Sequence, residues 1–324
     1  MKAAIVSEAG AVPEYGDFPE PAVREGYGLV ELVASGLHPV VRSIASGRHY
    51  GSTGAWPLVP GLDAVARTPD GDLVFTGFIE PPYGTMAERM ASPAALRVPL
   101  PPGADPVRIA GGMNPGLSSW MPLTTRKAEV AELGTVVILG ATGTAGGMAV
   151  QNARVLGARR VAGVGRNPEA LERAAGAGAV VVPLRGNRDV DAASIAAALA
   201  GDAPSIVLDF LWGAPAEATF QALGRRGISE DAADIAYIQI GATAGAEAAV
   251  PASLLRSRRL RISGSGAGSG SIAKIVEQLP IYMRLIADGS VTVPTSPYPL
   301  SRIAEAWAAS AQSGSRVVVI AEPA

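Results

Sequence analysis

The sequence predicts an α/β protein built from a doubly wound parallel sheet and a separate β-rich unit. Three observations predict it. From about residue 130, six apolar, β-branched segments, TVVILG, RRVAGVG, AVVVPL, SIVLDF, IAYIQIG and RLRISG, alternate with stretches of helical composition. That is the rhythm of parallel strands covered on both faces. Before about residue 110, the short apolar runs KAAIV, YGLVELVAS, DAVART, DLVFTGF and ALRVPL are separated by proline and glycine, which indicates strands joined by turns. Finally, TVVILG runs without a break into ATGTAGG, a strand leading through a glycine turn into a helix.

Composition excludes several classes. With 324 residues, 48% hydrophobic and 17% charged, the chain can bury a large core and exceeds the usual size of one domain. A net charge of −2, from 27 basic and 29 acidic side chains, gives no overall field for nucleic acid or anionic lipid. The arginines at 256, 258, 259 and 261 are read as a solvated strand entry. No apolar run reaches the length of a membrane span, and MKAAIVSEAG lacks signal-peptide features. The expectation is a cytoplasmic protein. Cysteine is absent and only His38 and His49 are present, so disulfides, thiolate catalysis and cysteine-ligated zinc are excluded and no metal site is expected.

In the second half, the helix after ATGTAGG carries Ala145, Met148, Ala149, Val155 and Leu156 at helical spacing and ends at Gly157. PEALERAAGAG opens on a first-turn proline, and DAASIAAALAG closes at Gly201. GSGAGSGS (264–271) reads as either a disordered linker or a mobile loop beside the active site, followed by the amphipathic SIAKIVEQLPIYMRLIADG, then VPTSPYPLSRIAEAWAASAQSG and a last strand, RVVVI.

The turn itself points to a ligand. Ala141, Gly143 and Gly146 stand in the spacing G-x-G-x-x-G with alanine first. Gly143 allows backbone to approach a diphosphate, Gly146 allows the helix to pack against the strand, and the amides at Thr144 and Ala145 open the helix. Dinucleotide binding is the expectation. About 20 residues on, where an NAD site carries an acid for the ribose hydroxyls, the chain has Gly165, Arg166 and Asn167. A guanidinium binds a 2′-phosphate that a carboxylate would repel, so the sequence favours NADPH.

Together with MKAAIV, SGLHPVVRSIASG, VPGLDAVA, YGTMAE and GLSSWMPL, the alanine-led turn resembles the zinc-free, quinone oxidoreductase-like branch of the medium-chain dehydrogenase/reductase superfamily, almost from end to end. The resemblance implies a GroES-like catalytic domain (1–112 with a returning segment, 265–324), a Rossmann domain (113–264), a cleft holding nicotinamide and substrate, and a homodimer formed through the edge strand RLRISG. It also implies that Asn114 and Ser118, in an interdomain loop, and Gly241, after the fifth strand, contact the cofactor. Zinc-dependent relatives place a cysteine at His38, a histidine near Leu62 and an acid at Asp63; only the acid is kept. The branch usually reads Asn-Pro-x-Asp where this chain has His38-Pro39-Val40-Val41. His38 is therefore either a donor to substrate oxygen or a packed histidine. Tyr50, or His49 by alignment from Gly47, stands where related enoyl reductases carry a proton-donating tyrosine; Trp56 and Trp120 read as core or pocket lining. The implied activity is an NADPH-dependent, zinc-independent reduction of a quinone or α,β-unsaturated carbonyl compound. Alternatives are an enoyl-thioester reductase, a zinc-free ketone or alcohol dehydrogenase, and a non-catalytic NADPH-binding sensor or structural protein.

Overall fold

A computed structural model of the chain describes residues 1–312 and 314–322. It divides into two compact units, one of Met1–Pro115 with the chain from Ala273 onward, the other of Gly116–Ile272. In the first unit, the elements in chain order are β1 (Lys2–Ile5), β2 (Glu14–Asp17), β3 (Tyr27–Gly36), α1 (Pro39–Ala45), β4 (Asp63–Arg67), β5 (Leu73–Gly77), β6 (Arg89–Pro93) and β7 (Val98–Pro99). Helix α2 (Pro106–Glu129) contains the division between the units.

Strands β8 (Thr135–Leu139), β9 (Arg160–Gly165), β10 (Val180–Pro183), β11 (Ile206–Asp209), β12 (Ile235–Gln239) and β13 (Leu260–Gly264) form the second unit's sheet. Its helices are α3 (Thr144–Val155), α4 (Pro168–Gly176), α5 (Arg188–Leu199), α6 (Gly213–Ala222) and α7 (Ala252–Ser257). The chain then passes through α8 (Ile272–Ala287), β14 (Thr295–Pro299), α9 (Ile303–Ala309) and β15 (Arg316–Ile320). No helix among the described residues is long and apolar enough to cross a membrane.

In the first unit the long strand β3 organises the sheet. Its first half pairs with β6, its last residues pair with β15, and β4 runs along its other edge past a register shift between Leu32 and Ala34. The last strand of the chain thus completes a sheet begun near its start, and Val30, Leu32, Ala64, Ala66, Val317, Val319 and Trp307 share one core. ALRVPL, expected as a strand, is a 3-10 turn at Ala94–Leu96 with only Val98–Pro99 paired. Prolines at 93, 99 and 101 remove the amides a ladder needs.

The six strands of the second unit lie in the order β10-β9-β8-β11-β12-β13, every pair parallel. The chain builds outward from β8 on one side, returns, and builds outward on the other. Order therefore reverses between β8 and β11, and their carboxyl ends open the crevice in which such sheets hold ligands. Alternation along β8 sends Val136 and Ile138 to one core with Leu123, Ala149, Val150 and Ala153. Val137 and Leu139 go to the other, with Ile195, Leu199 and Phe220. Each such fully buried aliphatic side chain contributes about 1.5–3 kcal/mol, so this strand and its turn are among the firmest parts of the unit.

Element ends largely follow local chemistry. Pro168 opens α4 and the Asn167 side-chain oxygen accepts from Ala170 N–H at 2.9 Å. Helix α5 stops one residue earlier than expected, with Ala200 already left-handed at φ 54° ahead of Gly201. On α3 the buried face is Met148, Ala149, Val150, Asn152 and Ala153, while Val155, expected inside, is exposed. Two arginines of the 256–261 run are engaged: Arg258 with Asp231, and Arg261 with Glu129 and Asp234.

Candidate nucleotide-binding site

The turn after β8 is built by three differently constrained small residues. Gly140 has φ 93°, a conformation that side chains strain to adopt. At Gly146 an added Cβ would lie 2.1 Å from the Gly140 carbonyl oxygen, so only glycine lets α3 rest on the strand end. At Gly143 the same atom would meet nothing closer than Gly140 oxygen at 3.6 Å. The protein itself does not require glycine there; the space in front of Gly143 is free for a ligand. Ala141, in place of the first glycine, sets its methyl against Gly163.

Gly143 is the N-cap of α3 and offers no side chain to it. The first intrahelical bond is Gly147 N–H to the Gly143 carbonyl at 2.8 Å, so the amides of Thr144, Ala145 and Gly146 come before the ladder begins. Unpaired amides and the positive end of the helix dipole suit an anion. The residues present therefore fit a dinucleotide diphosphate.

At the end of β9, Gly165 is required by Thr142, whose side chain lies 2.3 Å from the place of an added Cβ. Arg166 follows, exposed and without a carboxylate partner among the described residues. Asn167, expected at the cofactor, uses its side-chain oxygen to cap α4.

The far wall of the crevice is the segment after β11. Asp209 is fully buried; one carboxylate oxygen accepts from Leu211 N–H and Trp212 N–H, both at 2.8 Å, and the other from Tyr237 Oη at 2.6 Å. Burial pushes this carboxyl up, against the three donors that pull it down. The bonds hold Trp212 at φ 56°, strained for a non-glycine residue, and set Leu211 and Phe210 against Gly140. Gly241 accommodates the Phe210 carbonyl, but its own N–H donates to the Asp209 carbonyl at 3.1 Å. The Gly241 amide is thus paired within the protein.

Asn114 and Ser118 are also corrected in place. They lie inside the 24-residue helix α2, not in a loop. Pro115 lacks the amide a helix uses, yet burial of Ile109, Ala110, Met113, Trp120 and Leu123 carries the helix through. Gly111 lets it press on Thr295 and Val318.

In the first unit, His38 is the N-cap residue of α1, 1% exposed, with Nε2 3.2 Å from Asp63 Oδ1. An added Cβ on Gly36 would fall 2.3 Å from His38 Nε2, so the imidazole folds back over the end of β3. Arg316, also buried, donates from Nη1 to the Leu37 carbonyl at 3.1 Å and is lowered by burial to about 10. Burial lowers the His38 pKa, opposed by Asp63 and assisted by the Arg316 charge. The imidazole is thus enclosed, and neither buried ring nitrogen makes a hydrogen bond of standard geometry.

A pH dependence follows. The folded His38 pKa lies below its ordinary 6.5, so the unfolded chain binds the proton more readily and stability is lost as pH falls through that value. The thermal midpoint should drop from about pH 7.5 to about 5.5, and His38→Asn should flatten that drop; an unchanged acid limb in the variant would contradict it.

His49 and Tyr50 lie on the loop after α1, rings 4.1 Å apart at 32°, with Tyr50 74% exposed. His49 Nδ1 accepts from Gly51 N–H at 3.0 Å, leaving Nε2 to carry the proton. Trp56 donates to the Ala45 carbonyl at 3.1 Å and packs on the core, and Trp120 is buried. Among the described residues no three His, Asp or Glu side chains are gathered as metal ligands.

No family model matches the chain. Over an alignment of 362 positions it is 29% identical to a probable NADPH-dependent quinone reductase, tdiC, of Emericella nidulans, covering 99% of this chain and 100% of that protein. Along its whole length the chain is thus similar to a quinone reductase, in agreement with its resemblance to the zinc-free branch of the medium-chain dehydrogenase/reductase superfamily. Solved structures agree on the fold. A quinone oxidoreductase from Thermus thermophilus, also solved with NADPH, superposes with a TM-score of 0.78 at 24% identity, covering 99% of this chain and 100% of that one. An alcohol dehydrogenase superfamily protein from Novosphingobium aromaticivorans gives 0.80 at 23%, with coverage of 99% and 100%. His38, expected at the cysteine position of zinc-dependent relatives, lies 3.2 Å from the retained acid, Asp63.

Proposed function

We propose that the protein is an NADPH-dependent oxidoreductase that reduces a quinone or an α,β-unsaturated carbonyl compound. One observation carries the reading most directly: the space in front of Gly143, beside the uncapped start of α3. The names of the full-length fungal relative and of the Thermus structure support the same cofactor and acceptor class.

Bound there, the reduced nicotinamide supplies the hydride. Thr144, Ala145 and Gly146 hold the diphosphate through their amides, and Arg166 takes the 2′-phosphate. The Asp209 and Tyr237 pair keeps Phe210–Trp212 in place as the opposite wall. Negative charge that develops on the acceptor oxygen needs a proton donor. Tyr50 is exposed and His49, half-buried, has Nε2 left as its donor, whereas His38 is buried against Asp63. A positioned donor contributes on the order of 10²–10⁴ in rate, and a quinone reduced to its hydroquinone anion takes its proton from water. The same reading carries a homodimer through the edge strand β13 and a cytoplasmic location.

The test follows NADPH absorbance with quinones, enones, enoyl thioesters and simple ketones, each repeated with NADH. Turnover of quinones or enones, faster with NADPH, is expected. Turnover of simple ketones alone, or oxidation of NADPH by none of these acceptors, would contradict the assignment.

A further inference from the structure

We infer that Arg185, at the exit of the neighbouring strand, is a second guanidinium for the cofactor's 2′-phosphate; this rests on the NADPH reading above. The juxtaposition comes from register. Strands β9 and β10 pair with Gly165 opposite Pro183, and Leu184 N–H donates to the Gly165 carbonyl at 2.7 Å. The residue following Gly165 is Arg166, and the residue following Leu184 is Arg185, both exposed.

Nearby acids among the described residues leave both guanidinium groups unpaired. Asp191 is buried, and its two oxygens accept from the backbone N–H groups of Arg185 and Gly186 at 2.7 and 3.1 Å. Asp189 accepts from Gln221 at 2.8 Å, and Glu169, in the first turn of α4, is exposed and makes no ion pair with Arg166. Two like charges at adjacent strand exits repel each other. A dianion set between them replaces repulsion with charge-assisted hydrogen bonds.

The turn that bears Arg185 is also fixed in advance. The Asp191 bonds pin its backbone, Gly186 takes φ 77°, and Asn187 caps α5 by accepting from Asp189 and Val190 N–H at 3.1 Å each. An arginine presented from a rigid backbone loses less freedom on binding than one on a loose loop. Preference for the phosphorylated cofactor is thus shared between two residues of different strands, and neither alone accounts for it.

Calorimetric titration of the full chain with NADP⁺ and NAD⁺, compared with Arg185→Ala, Arg166→Ala and the double variant, tests this. Arg185→Ala should weaken NADP⁺ about tenfold and leave NAD⁺ unchanged, and the double variant should bind the two alike. If Arg185→Ala binds NADP⁺ as the wild type does while Arg166→Ala loses affinity, the role of Arg185 is overturned and the NADPH reading stands. If the wild type binds neither nucleotide, or shows no preference for NADP⁺, both fall.

Discussion

Gly143→Ala should fold like the wild type and lose nucleotide binding, whereas Gly146→Ala should fail to fold stably. The contrast follows from what each new methyl group would meet. At position 143 it makes only an ordinary contact, 3.6 Å from the Gly140 carbonyl oxygen, with φ −86° acceptable to alanine, so the stability change is within about 1 kcal/mol. The proposed diphosphate would lie in front of this position, and excluding it should weaken NADPH on the order of a hundredfold, about 2.8 kcal/mol. At position 146 the methyl would collide with the Gly140 carbonyl, backbone against backbone. Neither element can yield without moving α3 off β8, a cost of about 3 kcal/mol or more. Thermal unfolding and NADPH titration of both variants give the answer. Unchanged NADPH affinity in Gly143→Ala would show that the ligand lies elsewhere.

The second large effect is on cofactor choice. Arg166→Ala should raise the Michaelis constant for NADPH about tenfold, as expected for loss of a charge-assisted bond at an exposed site, and leave that for NADH nearly unchanged. Salt separates this from a general loosening: NADPH affinity of the wild type should fall with ionic strength more steeply than that of the variant. Equal effects on both cofactors would make Arg166 an ordinary solvated arginine.

The parallel sheet was legible because its strands are buried on both faces and read as unbroken β-branched runs, as β8 does in TVVIL. The glycine turn was legible because its spacing follows from strand and helix geometry. Helix α2 was not, since Asn114-Pro115-Gly116 has the local chemistry of a break, and burial on both sides of it, with the Gly116 carbonyl accepting from Ser119 and Asn152, carries the helix through. Strand β6, RMASP, gave no alternating pattern and owes its existence to its pairing with β3. Distant partners decided the rest. His38 is enclosed beside Asp63, on another strand, and the Gly241 amide was taken by Asp209 on the neighbouring strand. Partners of this kind are set by topology and leave no local trace.

Hydrogen exchange of the chain, followed with and without NADPH, tests the central claim most directly. Slowed exchange is expected at the amides of Thr144, Ala145 and Gly146, which have no acceptor within α3 until a diphosphate supplies one. NADPH that binds while these amides exchange at their unliganded rate would contradict the account.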